Sequence, residues 1–172
     1  YNVIQWVHRS TRGWSYGSTI TDPRTGEIIK GHVSLGSLRV RQDFMIAQGI
    51  LSPFANSNYN HDELMELALA RLRQLSAHEI GHTIGLAHNF AASADHRASV
   101  MDYPHPLINI LNGKADISKA YDDKIGEWDK RAVLYGYQDF GPQTDEEAAL
   151  AQIVKETLRS NTGFISDKDA RA

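Results

Sequence analysis

The sequence predicts an α+β fold, because it contains one hairpin signal and three helical segments. Residues 18–37 hold two extended runs around "DPRTGE", with Asp-Pro starting the turn and a glycine closing it, as in a β-hairpin. Residues 61–85 are rich in Leu, Ala, Glu and Arg, which favour one long helix. Two shorter segments with helical spacing follow, near 122–136 and 145–159.

The predicted strands come early in the chain. Residues 3–8, "VIQWVH", predict a buried strand ahead of the hairpin. In the second hairpin strand Val33 and Leu35 alternate with His32 and Ser34, which is the pattern of a half-exposed strand.

The other segments are less regular. Residues 38–52 fit a strand or a short helix, and the sequence does not decide between them. Residues 52–58, "SPFANSN", predict a loop. Residues 86–118 also predict a loop, because prolines and a glycine punctuate them.

Capping signals mark where two helices begin. Asn60 and Glu63 have capping-box spacing before the long helix, and Thr144 and Glu147 have it before the last one. Helical spacing predicts the apolar faces of the two C-terminal helices. These residues are Ile125, Trp128, Ala132 and Tyr135, and then Leu150, Ile153, Val154 and Leu158.

Composition limits the class of protein. The 172 residues, 41% hydrophobic and 23% charged, suit one soluble globular domain over residues 1–159, with a polar tail or linker over 160–172. The net charge of −3 argues against a nucleic-acid partner, and no apolar run approaches the roughly 20 residues of a membrane span. The absence of cysteine excludes disulfides and thiolate chemistry.

The long helix carries two histidines at metal-binding spacing. At about 100° per residue, His82 lies about 40° from His78 and one turn further along, so both imidazoles can share one ion. Glu79 flanks the same place. The side chains of Ala77 and Ile80, with Ile84, fall on the opposite side and are expected to face the core.

A third histidine needs a bend in the chain. A straight helix would point His88 away from the other two. Gly85 tolerates the left-handed backbone that ends helices, so a turn there returns His88 as the third ligand.

Three histidines suit one zinc ion and leave a position open for water, as in a catalytic site. Glu79 can take a proton from that water and later hand it to a leaving amine. The alternative is that the histidines lie on the surface of an amphipathic helix. The full pattern H-E-x-x-H-x-x-G-x-x-H, residues 78–88, weighs against that alternative.

These residues carry a resemblance to the metzincin metallopeptidases. "HEIGHTIGLAH" resembles their zinc-binding motif, and "SVMDYP", residues 99–104, resembles their Met-turn. The resemblance implies a twisted mixed sheet packed on the active-site helix. It also implies that Met101 forms an apolar floor under the metal site. Taken alone, Met101 would be read as a core side chain.

Two further positions bear on the branch of the family. The resemblance to the astacin-like and serralysin-like branches implies that Tyr103 contacts the metal or steadies the tetrahedral intermediate. The alternative is an ordinary surface or core tyrosine. Asn89 departs from the residue, often Asp, that follows the third histidine in the matrixin-like and reprolysin-like branches.

From about Trp6 to Tyr137 the chain also resembles large bacterial secreted zinc metalloproteases with flanking regions of unknown function. That resemblance implies an extracellular or periplasmic location and flanking domains in a parent chain. The chain begins with Tyr1, not Met, and shows no signal peptide. Because only one short strand precedes the hairpin, we expect a fragment that lacks the first strand and helix of the fold.

The resemblance also suggests where a peptide would bind. Residues 31–37 are expected to form the rim strand of the cleft and to hold an extended peptide by its backbone. An internal strand is the alternative. The substrate-binding residues would be Gly31, His32, Val33, Ser34 and Leu35.

The remaining histidines and nearby acids are weaker candidates. Three aspartates could hydrogen-bond the far nitrogen of a ligand histidine, and the sequence does not choose among them: Asp95, Asp102 and Asp116. The histidines without ligand spacing are His8, His32, His61, His96 and His105.

The sequence therefore predicts an endopeptidase that binds one catalytic zinc ion and cleaves a peptide or protein substrate. Two alternatives remain open. One is a non-catalytic, zinc-stabilised module that binds peptides or a partner protein, and the other is a zinc hydrolase of a non-peptide bond. The sequence does not specify an oligomeric state.

Overall fold

The computed structural model describes residues 1–9, 11, 13–54, 60–122, 124–160 and 162–170. The chain forms two compact units. The first unit comprises residues 1–85 and 104–124, and the second comprises 86–103 and 125–172. Helices and small sheets occur together in the described residues, which confirms the predicted α+β class.

The main sheet lies in the first unit and is mixed. Its strands are β1 (Val3–Val7), β2 (Tyr16–Thr21) and β3 (Ile28–Gly36), in the spatial order β1-β3-β2. β2 and β3 form the predicted antiparallel hairpin, and β1 runs parallel to β3. The amide of Gly26 donates to the carbonyl of Asp22 (2.8 Å) across the turn, and the positive φ of 78° there suits glycine.

Two expectations about these strands were wrong. β1 was expected to be buried, but it is an edge strand whose Ile4 and Trp6 are exposed. Residues 31–37 were expected to offer a free rim, but β3 is the internal strand and pairs with a neighbour on each side. Alternation of side chains tells which face a residue occupies, and it does not tell how many neighbours the strand has.

Two helices complete the core of the first unit. Residues 38–52, which fitted a strand or a short helix, contain helix α1 (Leu38–Leu51). A short 3-10 turn (Ser52–Phe54) follows it, and the rest of the predicted loop lies outside the described residues. Helix α2 (His61–Thr83) begins at Asn60, whose side chain accepts from the amide of Asp62 (3.1 Å). The buried cluster between them comprises Ala47, Leu51, Leu64, Leu67, Ile117, Ala120 and Tyr121.

A second hairpin interrupts the stretch that was expected to be a loop. Strands β4 (Asn109–Leu111) and β5 (Lys114–Asp116) pair around Asn112-Gly113. Both turn residues have positive φ, 53° and 75°, which is the backbone that an Asn-Gly hairpin turn requires.

The second unit is mainly helical. Helix α3 (Glu127–Tyr137) begins later than predicted, and helix α4 (Glu146–Arg159) begins at Asp145, not Thr144. The Asp145 side chain accepts from the amide of Ala148 (3.1 Å).

The predicted apolar faces of these two helices are only partly buried. Ile153 is buried, but four other predicted residues are exposed: Ile125, Tyr135, Val154 and Leu158. Helical spacing marks an apolar face, and it does not show how far a neighbouring element extends along that face.

Candidate metal centre

Helix α2 places the motif histidines on its buried face. His78 and Glu79 are buried, whereas Ile80 is 42% exposed. The prediction that Ile80 faces the core was therefore wrong. The buried stripe runs along the whole helix at helical spacing, through Leu64, Leu67, Ala68, Arg71, Leu75 and His78, and the motif histidines continue it.

The main sheet packs directly on this part of α2. A Cβ added at Gly17 of β2 would lie 2.8 Å from the carbonyl carbon of Glu79, and closer still to its oxygen. A Cβ added at Gly31 of β3 would lie 2.9 Å from Cβ of Thr83. Two glycines therefore let the sheet approach the helix at two positions of the motif.

The helix ends where the sequence predicted. The amide of Gly85 donates to the carbonyl of His82 (3.1 Å), and φ at Gly85 is +87°. This left-handed residue ends the helix and turns the chain.

The turn brings the third histidine to the other two. His78, His82 and His88 each offer a nitrogen, and these atoms lie within 4.8 Å of one another. The Nε2 atoms of His78 and His82 are 3.2 Å apart, with the rings perpendicular. The predicted convergence of the three histidines is confirmed. In the part of the chain that the structure describes, these three side chains form the cluster that could hold a metal ion.

The donor set fits zinc. Nitrogens about 2.0 to 2.1 Å from a tetrahedral zinc lie about 3.3 Å from each other, close to the separation of the first two. The third nitrogen lies within the 4.8 Å limit. Neutral imidazoles are ligands that zinc prefers, so the three histidines suit this ion.

Both ring nitrogens of His88 have polar neighbours. Its Nδ1 lies 2.7 Å from Oδ2 of Asp167, and its Nε2 lies 2.8 Å from the phenolic oxygen of Tyr103. The rings of His88 and Tyr103 are 4.9 Å apart between centroids, and Tyr103 is 57% exposed. The structure therefore brings Tyr103 to the third histidine.

Asp167 was missed from the sequence. It lies in the tail that was expected to be a linker, 79 residues beyond His88. Of the three aspartates considered instead, Asp102 accepts from Ser93 and from the amide of Tyr103, and Asp116 accepts from the amide of Ser118. No local pattern marks a residue so distant in sequence, so contact with the tail could not be predicted.

The tail is held by the residue after the third histidine. Asn89 is fully buried, its Oδ1 accepts from the amide of Ile165 (3.1 Å), and its Nδ2 donates to the carbonyl of Gly163 (2.9 Å). The amide of Phe90 donates to the carbonyl of Ile165 (2.8 Å). The described part of the tail is thus packed and hydrogen-bonded, contrary to the expectation of a linker.

Met101 lies in a buried, hydrogen-bonded loop of the second unit. It has no exposed surface, and its carbonyl accepts from the amide of Asn89 (2.8 Å). Buried Asp129 of α3 fixes this loop by accepting from Ser99 Oγ and from the amide of Val100 (2.8 Å). The geometry fits a structural residue beside the third histidine.

The remaining predicted residues lie apart from the cluster. The histidines outside the cluster are His8, His32, His61, His96 and His105.

Two buried charged side chains of the first unit have shifted pKa values. On α2, N-terminal to the motif, burial lowers the pKa of Arg71, an effect that the negative charges of Asp43 and Glu79 oppose. Burial also raises the pKa of Asp43, against the influence of Arg39 and Arg71.

An α+β domain with a glutamate beside the first of three converging histidines defines a zinc metallopeptidase-type domain of the zincin class. The chain belongs to the Met-zincin family, which it matches over residues 60–172. No curated protein and no solved structure matches the chain. In the described residues, no helix has the length and apolar character needed to cross a bilayer.

Proposed function

We propose that this chain is the catalytic domain of a zinc-dependent endopeptidase. The observation that carries the proposal is the convergence of His78, His82 and His88, together with buried Glu79, which follows His78 on the same helix. Three protein ligands leave a coordination position for water or substrate, which a purely structural zinc site fills with a fourth ligand.

Each residue of the motif has a role in this mechanism. His78, His82 and His88 hold the ion, which when bound supplies a Lewis acid for the scissile carbonyl and for the attacking water. Glu79 accepts the proton that the water loses and delivers it to the leaving amine nitrogen. Burial of Glu79 restricts the access of bulk water to that proton.

Tyr103 is the proposed hydrogen-bond donor to the carbonyl oxygen of the substrate. Its phenol lies at the third histidine and is exposed enough to meet a substrate. In the reaction it donates a hydrogen bond to the oxygen that becomes negative as water attacks the carbonyl. Met101, buried and apolar, is held in the loop that carries Tyr103 by the hydrogen bond from its amide to Ser99 Oγ.

A peptide is the proposed substrate class, and β2 replaces β3 as the strand that would hold it. In the described residues β2 pairs with β3 on one side, so its other edge is available for backbone hydrogen bonds. Gly17 of this strand contacts the backbone of Glu79. An extended chain added to β2 would therefore run close to the proposed base. Export from the cytoplasm and flanking domains also belong to the proposal, supported by the sequence resemblance.

The test combines metal analysis with digestion of a peptide library by wild type, Glu79→Gln and Glu66→Gln. Glu66 is the matched control, because it is exposed on the same helix. We expect one zinc per chain in all three proteins, and cleavage lost only in Glu79→Gln. Equal cleavage by wild type and Glu79→Gln would remove Glu79 from the mechanism. Stoichiometric zinc without cleavage would favour the peptide-binding module, and turnover of non-peptide esters alone would favour a zinc hydrolase of a non-peptide bond.

A further inference from the structure

The second nitrogen of a ligand histidine decides how well the first one binds a metal. A partner there fixes the ring and its tautomer, and loss of such a partner weakens metal binding. In the described residues His88 has such a partner in Asp167, which comes from the tail of the chain. We propose that Asp167 is a positioning residue of the metal centre, and that residues 163–167 are part of that centre. This inference rests on the proposed metal site.

The contact selects one tautomer of His88. An ionised carboxylate accepts hydrogen bonds and donates none, so Nδ1 of His88 must carry the proton that Asp167 Oδ2 accepts at 2.7 Å. Nε2 then keeps its lone pair. The phenolic oxygen of Tyr103 lies 2.8 Å from Nε2, and a phenol can donate to that lone pair. Asp167 therefore presents His88 to a metal through Nε2, the same atom by which His78 and His82 face each other.

The tail is anchored next to the ligand that it serves. Asn89, the residue after His88, bonds to Gly163 and Ile165 and is fully buried. Phe164 between them stacks on Trp128, with ring centroids 5.2 Å apart and planes 3° from parallel. These contacts fix the backbone two residues before Asp167.

The segment is also fixed after that contact. The amide and hydroxyl of Ser166 both donate to Oδ2 of Asp169, and the amide of Ala170 donates to the carbonyl of Ser166 (3.0 Å). Asp167 thus sits in a closed turn whose two ends are held. These bonds hold the backbone from which the Asp167 carboxylate reaches the histidine.

The effect should appear in metal binding more than in folding. The side chain of Asp167 is 43% exposed and that of His88 is 16% exposed. A partly exposed ion pair contributes little to stability because water screens it. Orientation of a metal ligand, in contrast, changes metal affinity by about 10- to 100-fold.

The experiment measures zinc affinity by competition with a chelator for the 172-residue chain and two variants, Asp167→Ala and Asp167→Asn. Asp139→Asn is the control, because Asp139 is an exposed acid of the same unit and its loss changes the net charge equally. We expect about 10- to 100-fold weaker zinc binding for Asp167→Ala. Asp167→Asn should lie between, because its amide oxygen still accepts from Nδ1 without the charge, and Asp139→Asn should match wild type.

A second measurement reads the tautomer directly. In metal-free, ¹⁵N-histidine-labelled protein, His88 should show Nδ1–H in wild type and in Asp139→Asn. In Asp167→Ala a substantial Nε2–H population should appear. Wild-type zinc affinity and an unchanged tautomer in Asp167→Ala would overturn the inference. Neither readout requires turnover, so weaker zinc binding in Asp167→Ala supports the inference even if Glu79→Gln cleaves like wild type and the proposed function fails.

Discussion

Gly17 and Glu79 are in backbone contact. A Cβ at Gly17 would overlap the carbonyl group of Glu79, so the strand at the edge of the sheet and the helix at the proposed base can meet only because residue 17 is glycine. This contact sets the distance between the edge strand and the candidate base. At Gly31 the crowding atom belongs to the side chain of Thr83, which can move more easily than backbone.

Gly17→Ala should therefore destabilise the protein by about 1 to 3 kcal/mol, the usual cost of forcing atoms into a packed interface. The matched control is Gly49→Ala in the exposed part of α1, where an added Cβ meets nothing within 4 Å. Alanine there should stabilise by about 0.5 to 1 kcal/mol, because glycine disfavours helix. Urea unfolding measures both. A Gly17→Ala protein as stable as wild type would contradict the close contact.

Gly85 is needed for its backbone and not for its size. An added Cβ would meet only Cδ1 of Ile28 at 3.7 Å, which is ordinary contact, but φ is +87°. Gly85→Ala should cost about 1 to 2 kcal/mol and weaken zinc binding, because the strain is relieved by moving His88. Gly85→Asn should cost less, since Asn tolerates this conformation better. Equal stability and zinc affinity in all three proteins would argue against the proposed role of the turn.

The order of the helices and the hairpin could be predicted from local signals. The Asn60 cap and the composition of residues 61–85 predict α2, and the structure places it at His61–Thr83. The motif predicted the convergence of the three histidines because its members lie within eleven residues. Spacing and one glycine determine that geometry without any distant part of the chain.

Contacts between distant segments could not be predicted. β3 is internal because β1 pairs with it, with Val3 opposite His32, and the alternation within β3 does not reveal that pairing. Asp167 reaches His88 across 79 residues, from a segment whose polar composition predicts a linker. Ile80 was assigned to the core because the histidines occupied the other face, yet His78 and Glu79 are the buried side chains here. Where polar side chains are buried, hydrophobicity alone assigns the wrong face of a helix to the core.

Zinc should stabilise the folded chain by mass action. At a free concentration about 100 times the dissociation constant, the gain is about 2.7 kcal/mol if the unfolded chain does not bind zinc. His88→Ala should abolish most of this gain, and the control His105→Ala should keep it, since His105 lies outside the cluster. Thermal unfolding with and without zinc gives the comparison. The same zinc-dependent shift in both variants would refute the three-histidine site.

Asp129 should be among the most sensitive residues of the second unit. It is buried and accepts from the amides of Val100 (2.8 Å) and Gly126 (2.7 Å) and from the hydroxyl of Ser99. Asp129→Ala leaves these buried donors without their acceptor, at a cost of about 3 kcal/mol or more. Asp129→Asn keeps one acceptor oxygen and should lose less. As a control, Asp139→Asn in the same unit should change the free energy of unfolding in urea by less than about 0.5 kcal/mol. A similarly small loss in Asp129→Ala would show that these three hydrogen bonds to Asp129 do not stabilise the unit as described.

Asp43 should make the stability fall as the pH rises. Burial raises the pKa of its carboxyl above the ordinary 3.8, although Arg39 contacts both oxygens (2.9 and 3.0 Å). The folded chain then holds the proton more tightly than the unfolded chain. Asp43 therefore contributes stability that is full below about pH 3.8 and is lost as the pH rises through the folded-state pKa. Asp43→Asn does not titrate, so the wild type should gain on this variant as the pH is lowered from about 7 to about 4 in urea unfolding. Asp22→Asn should show the opposite trend, but only below about pH 3.8, because Arg24 lowers the pKa of Asp22 and its contribution is lost as the pH falls through the folded-state pKa. Curves for wild type and Asp43→Asn that stay parallel over this range would show that the buried carboxyl does not titrate as described.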